Sequence, residues 1–253
     1  MNSVSMLDIF TFKDGKYKQL NIDHQNLKPS FLPFDSAQYE NVKKLIATIN
    51  QTYNNQNSIH TIEPAHIRIL HSIPNGSAID VKINDQLTFK NVSYKQTSQY
   101  IQLNSGTNQI DLFLTSEPST KISSFSFALL PNHYYTFAVS GLLDDIQTIQ
   151  IVDNTYIPLN EAKIRFINLS PDGPSCDLAV IDGDVVFSNV SFLEASEFLS
   201  LTPMSVDLEI RIAGTKETVF SLRKSRIRSN QISNLVIVGS VNGNSRFEVI
   251  SYN

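Results

Sequence analysis

The feature that most constrains this 253-residue chain is an internal repeat. Ala65-His66-Ile67-Arg68 recurs 97 residues later as Ala162-Lys163-Ile164-Arg165, and Pro74, Gly76 and Asp80 meet Pro171, Gly173 and Asp177 at the same offset. The second copy then gains one residue. Beyond it, at an offset of 98, Phe89, Asn91, Val92, Ser93 and Tyr94 match Phe187, Asn189, Val190, Ser191 and Phe192. Ser98, Leu103, Asn132 and Gly141 match Ser196, Leu201, Asn230 and Gly239 without a further shift. One single-residue step across about 75 positions marks a duplicated structural unit. It divides the chain into an N-terminal arm (1–61) and two units (62–160 and 161–253).

Each unit reads as strands. Ile79–Asn84, Gln109–Leu114 and Asp207–Ile212 alternate apolar and polar residues with period two, as a half-buried strand does. Ile67–Leu70, Thr88–Val92, Tyr100–Leu103, Phe125–Leu129, Tyr135–Val139 and Thr148–Val152 complete the first unit, with Gly, Pro, Asn or Asp turns between them. Seven or eight short strands in under 100 residues predict a mainly β fold, two tandem antiparallel immunoglobulin-like β-sandwiches. The arm differs: Leu7–Phe12 and Tyr17–Ile22 flank Asp14-Gly15, a hairpin signal. Asp35 or Ser36 can cap a helix striped by Tyr39, Val42, Ile46, Ile49 and Tyr53, and 52–61 reads as a linker. The sandwiches are thus expected to follow a small hairpin-plus-helix extension.

The repeated motifs resemble those of bacterial proteins carrying tandem copies of the domain of unknown function 4397. AHIRILHSIPNGSAID (65–80) and AKIRFINLSPDGPSCD (162–177) carry its first element, and FKNVSY (89–94) and FSNVSF (187–192) its second. Ile73 stands where the family usually has Ser, and Ser77 where the second copy has Pro174. The resemblance implies β-sandwiches in envelope, secreted or spore-associated proteins, with no established activity and no site to carry over. The motif residues therefore read as structural: Pro and Gly set a turn, Asp80 and Asp177 bond nearby backbone amides, and Phe89 and Phe187 anchor cores.

Composition excludes several chemistries. A net charge of −4 argues against a phosphate-tracking protein. A single Cys excludes an internal disulfide framework and a thiolate zinc site. His24, His60, His66, His71 and His133 lack metal-ligand spacing and read as surface or edge residues. Cys176 replaces Ile79 of the first unit and reads as a packed residue rather than a reactive thiol. Asp144-Asp145 reads as a solvated turn, and no G-x-S-x-G, P-loop or dinucleotide fingerprint occurs. Asn91-Val92-Ser93 and Asn189-Val190-Ser191 have the form of glycosylation acceptors, but their identical place in the repeat favours a turn role. Arg223-Lys224-Ser225-Arg226-Ile227-Arg228 is the densest charge run, read as a basic strand face balanced by nearby acids.

No catalytic, cofactor-binding or metal-ligating residue is assigned, and no cofactor is expected. The expectation is a non-enzymatic structural or interaction protein of a bacterial cell-surface or spore-surface layer, with a protein partner or self-association through edge strands. A ligand-binding, adhesion-type module for glycan or protein is the alternative, with Tyr94 and Tyr134-Tyr135 as candidate platforms. Nucleic acid is not an expected partner, nor is membrane insertion, since no apolar run approaches a span. Met1–Phe12 has no basic residue and is interrupted by Asp8, so it does not read as an export signal. A surface location then implies either mother-cell synthesis or a chain trimmed of its leader.

Overall fold

The computed structural model describes residues 9–13, 16–21, 30–33, 63–157, 159–241 and 245–253. The expected helix and linker of the arm lie outside the described residues. The arm contributes strands β1 (Ile9–Lys13), β2 (Lys16–Asn21) and β3 (Ser30–Pro33). β1 and β2 pair antiparallel from Ile9↔Leu20 to Lys13↔Lys16, as the expected hairpin requires, while the Asp14-Gly15 signal itself lies outside the described residues.

The first unit supplies β4 (Ala65–His71), β5 (Ile79–Ile83), β6 (Gln86–Val92), β7 (Ile101–Leu103), β8 (Gly106–Leu114), β9 (Glu117–Leu129), β10 (Tyr134–Leu142) and β11 (Asp145–Asp153). These agree with the seven or eight short strands expected for the unit. The second supplies β12 (Ala162–Asn168), β13 (Cys176–Val180), β14 (Val185–Val190), β15 (Glu194–Ala195), β16 (Leu199–Leu201), β17 (Met204–Ile212), β18 (Thr218–Ile227), β19 (Gln231–Val238) and β20 (Glu248–Tyr252).

Four sheets result. In the first unit β6-β5-β8-β9 faces β3-β2-β1-β11-β10-β4-β7, which the arm extends by pairing β1 with β11. In the second, β14-β13-β17-β18 faces β15-β12-β19-β20, with β16 also on β12. Within each unit one pairing is parallel, β4 with β10 and β12 with β19. Ile67, Ile79, Leu112 and Phe137 fill the first sandwich, and Phe166, Leu178, Ile210 and Ile237 the second.

A third apolar cluster joins the units. Leu70, Ala138, Ile149 and Ile151 of one sheet meet Ile167, Leu169, Val236, Val238 and Tyr252 of the other. The middle sheets are therefore covered on both faces, and every residue of β12 is buried. Alternation identifies which side chains share a face. Here the polar face of the repeated A-x-I-R strand is buried against the other unit instead of facing water.

Candidate functional site

The residues shared by the two units hold the backbone. Asp80 Oδ1 accepts the Asn91 amide at 2.8 Å, and Asp177 Oδ1 accepts the Asn189 amide at 2.6 Å, so the first motif clamps the second. Asn91 and Asn189 stand at φ 56° and 54°, a left-handed conformation that Asn tolerates better than most residues. Ser98 and Ser196 accept the amides of Ile69 and Phe166, each at 2.9 Å. Gly141 and Gly239 have φ of 89° and 97°, and a Cβ there would overlap the carbonyl oxygens of Asp145 and Arg246. Phe89 lies in the first core and Phe187 packs against the second.

The histidine expectation needs correction at His71, which is fully buried. Its Nδ1 accepts the Ile73 amide at 3.3 Å, which leaves the proton on Nε2 to donate to the Ser77 carbonyl at 3.0 Å. Asn168, its counterpart, makes the same two bonds, accepting the Ser170 amide and donating to the Pro174 carbonyl. His71 is thus a neutral ring doing the work of an amide, and burial lowers its pKa from 6.5. Aligning His71 with Asn168 would have revealed this.

The most elaborate polar group lies where the units meet, on the repeated arginines. Arg68 Nε donates to Thr136 Oγ1 at 2.9 Å, and Arg165 Nε donates to Asn234 Oδ1, the residue at the same register position on β19. Each arginine also crosses to the last strand of the other unit: Arg68 Nη1 to the Asn253 carbonyl at 2.6 Å, and Arg165 Nη1 to the Val152 carbonyl at 2.8 Å. Val152 follows Ile151, which pairs with Thr136, as Asn253 follows Tyr252, which pairs with Asn234. The contacts are reciprocal, as about an approximate two-fold axis.

One carboxylate, Asp153, serves both guanidiniums, at 2.5 Å from Arg165 Nη2 and 3.6 Å from Arg68 Nη2. It also accepts the hydroxyls of Tyr100, at 2.6 Å, and Thr136. Arg68 lies between the rings of Tyr100 and Tyr252, 4.3 and 4.6 Å from their centroids. Burial and the neighbouring Asp153 carboxylate push the Tyr100 phenol far above its ordinary range. With two hydroxyls and one guanidinium donating to its oxygens and a second guanidinium 3.6 Å away, Asp153 fastens the group together. A cleft of about 430 Å³ opens over this group, lined among others by Tyr100, Asn154, Asn230, Gln231, Asn234 and Asn253.

The remaining sequence candidates do not converge. Tyr135 is buried in the first core, Tyr94 is half-buried with its hydroxyl 3.0 Å from Ser245 Oγ of the second unit, and Tyr134 stacks on His66 at 4.2 Å. These rings form no common platform. Cys176 is buried, and desolvation raises its thiol to about 11. Asp144 and Asp145 sit at the β10–β11 connection, as expected. Among the described residues no three His, Cys, Asp or Glu side chains are grouped to hold a metal, and no helix is long and apolar enough to cross a membrane. The basic run lies on an exposed strand face with Asp207 opposite Arg223 and Lys224, and none of Arg223, Lys224, Arg226 and Arg228 forms an ion pair with a described residue.

The family model for the domain of unknown function DUF4397 matches residues 65–179 and 162–253. No curated protein matches the chain. Among solved structures, the Bacillus anthracis TIE protein is similar at 11% identity and a TM-score of 0.24, over 70% of this chain and 34% of that one. The chain thus spans about a third of its length. A Bacteroides fragilis protein provisionally assigned to cell adhesion is similar at 7% identity and a TM-score of 0.20, over 76% of this chain and 97% of that one.

Proposed function

The chain belongs to the DUF4397 family, and from that premise we propose that it is a non-enzymatic structural or interaction protein of a bacterial cell-surface or spore-surface layer. The observation that carries this reading is the use of the repeated residues. Asp80 and Asp177, Asn91 and Asn189, Ser98 and Ser196, and Gly141 and Gly239 all serve turns and strand junctions. What was duplicated is a scaffold. Among the described residues its outer sheets end in long edges, β9 and β18; the β9 edge suits addition of another chain, and the β18 edge offers an exposed polar face to a partner. Light scattering of the intact protein over a range of concentrations tests self-association, and a strict monomer at the highest concentration removes it. Fractionation of the producing cells tests the location, and recovery only in the cytosol rejects the surface reading.

A second reading, a glycan-binding module, is supported by the cleft between the units. Asn154, Asn230, Gln231 and Asn253 supply amide donors and acceptors beside Tyr100, the polar-plus-aromatic lining that suits a neutral saccharide. Titration of the protein with a panel of soluble oligosaccharides, followed by amide shifts of those residues, tests it. An unchanged spectrum across the panel rejects it.

A further inference from the structure

Among the described residues β18 is the edge of its sheet, and with the residue that follows it bears Arg223, Lys224, Arg226 and Arg228. A bulge gathers these cations on one face. Val206 pairs with Ser225 and Leu208 with Leu222, so Asp207 stands opposite both Arg223 and Lys224. Lys224 has φ 55° and its amide donates to Asp207 Oδ1 at 2.6 Å. Strict alternation would send one of two consecutive residues toward the side where Val206 and Leu222 pack on the core. The extra residue re-aims that side chain outward.

The fold does not demand these charges. In the first unit Thr107 pairs with Ala128 as Ser205 pairs with Arg226, so the counterparts of Arg226 and Arg228 are Ala128 and Leu130. Those two positions are uncharged in the first unit. The chain's net charge of −4, which argues against phosphate tracking by the molecule as a whole, conceals this local excess of four exposed cations. Asp207 is the carboxylate facing the cluster from β17, and it offsets charge at the Arg223 end, leaving Arg226 and Arg228 the stronger pole.

We propose that this edge binds an anionic phosphodiester polymer of the bacterial surface, laid along β18 and held by Arg223, Lys224, Arg226 and Arg228. The inference rests on the surface reading above. A bulge and a row of like charges blunt an edge against addition of another strand, which favours a flexible polymer over a peptide. Guanidinium groups suit phosphate because two N–H donors can meet two oxygens. Outward residues two apart are separated by roughly 7 Å along the strand, a spacing that a chain with one phosphate per small monomer can follow.

The test is binding of polyglycerol phosphate to the full-length protein between 50 and 200 mM salt, by isothermal titration. Four phosphate contacts give a log–log salt slope of about −2.8, or about 50-fold weaker binding over that range. The doubly exchanged R226E/R228E chain is expected to keep its melting temperature, lose at least about tenfold in affinity at 50 mM salt, and show a slope nearer −1.4. S126E/A128E, on the homologous edge of the first unit, is expected to bind as the parent does. Absence of binding at 50 mM, undiminished binding by R226E/R228E, or tighter binding of a single-stranded oligonucleotide of equal charge would each overturn the proposal. Because the components are purified, failure here removes the polymer site alone, whereas cytosolic recovery on fractionation removes the surface setting.

Discussion

Replacing Asp153 by Ala tests the junction most directly. The side chains of Asp153, Arg165 and Arg68 are 5%, 4% and 8% exposed, so the substitution leaves two guanidiniums buried with no carboxylate between them. It also strips an acceptor from the Tyr100 and Thr136 hydroxyls. Breaking a buried ion pair by removing one partner costs about 3–5 kcal/mol. For a chain of this size each kcal/mol lowers Tm by about 2–4 °C, so D153A is expected to melt about 6–20 °C below the parent. Arg68 and Arg165 both link one unit to the other, so the calorimetric transition is also expected to broaden or split as the units uncouple. D153N keeps the shape and an acceptor for Tyr100 but not the charge, and should fall between the two. The assay is scanning calorimetry with circular dichroism as a check on the fold. A loss below about 1 kcal/mol, the range of an exposed ion pair, with one sharp transition retained would refute the view that Asp153 fastens the units together.

Other substitutions probe the repeat by using each unit as the template for the other. His71→Asn copies Asn168 and its two hydrogen bonds, so it should change stability at neutral pH by less than about 1.5 kcal/mol. It should also flatten part of the acid limb. Burial lowers the His71 pKa below 6.5, so the unfolded chain binds that proton more readily. The folded parent is therefore fully stabilised above pH 6.5 and loses stability as pH falls below it; urea midpoints of both proteins at pH 7.5 and 5.5 give the comparison. Gly141→Ala forces a Cβ into the Asp145 carbonyl at φ 89°, and a loss of at least about 2 kcal/mol is expected in urea unfolding. Cys176 should resist alkylation in the native protein and react on unfolding, because its thiol is buried and raised to about 11; fast native labelling, timed by mass spectrometry, would contradict that placement.

What the sequence by itself determined is the strand content of each unit and the role of its repeated motif residues. Alternation and the turn residues between apolar runs marked the strands of the first unit, because period two is a property of the backbone, and the pairing of β1 with β2 agrees with the hairpin signal between them. The motif aspartates were legible as backbone acceptors, although their partners Asn91 and Asn189 lie 11 and 12 residues away in the second motif. What the tertiary structure decided is the fate of the outward faces. Arg68 and Arg165 are charged residues of the repeated motif that nothing in its pattern places inside, yet they are buried because the third apolar cluster brings the two sheets together. Their shared counter-ion, Asp153, comes from a strand of only one unit, so no periodicity and no repeat could have announced it. A residue's side of a strand is fixed by neighbours in sequence, whereas whether that side meets water or another sheet depends on contacts nearly a hundred residues apart.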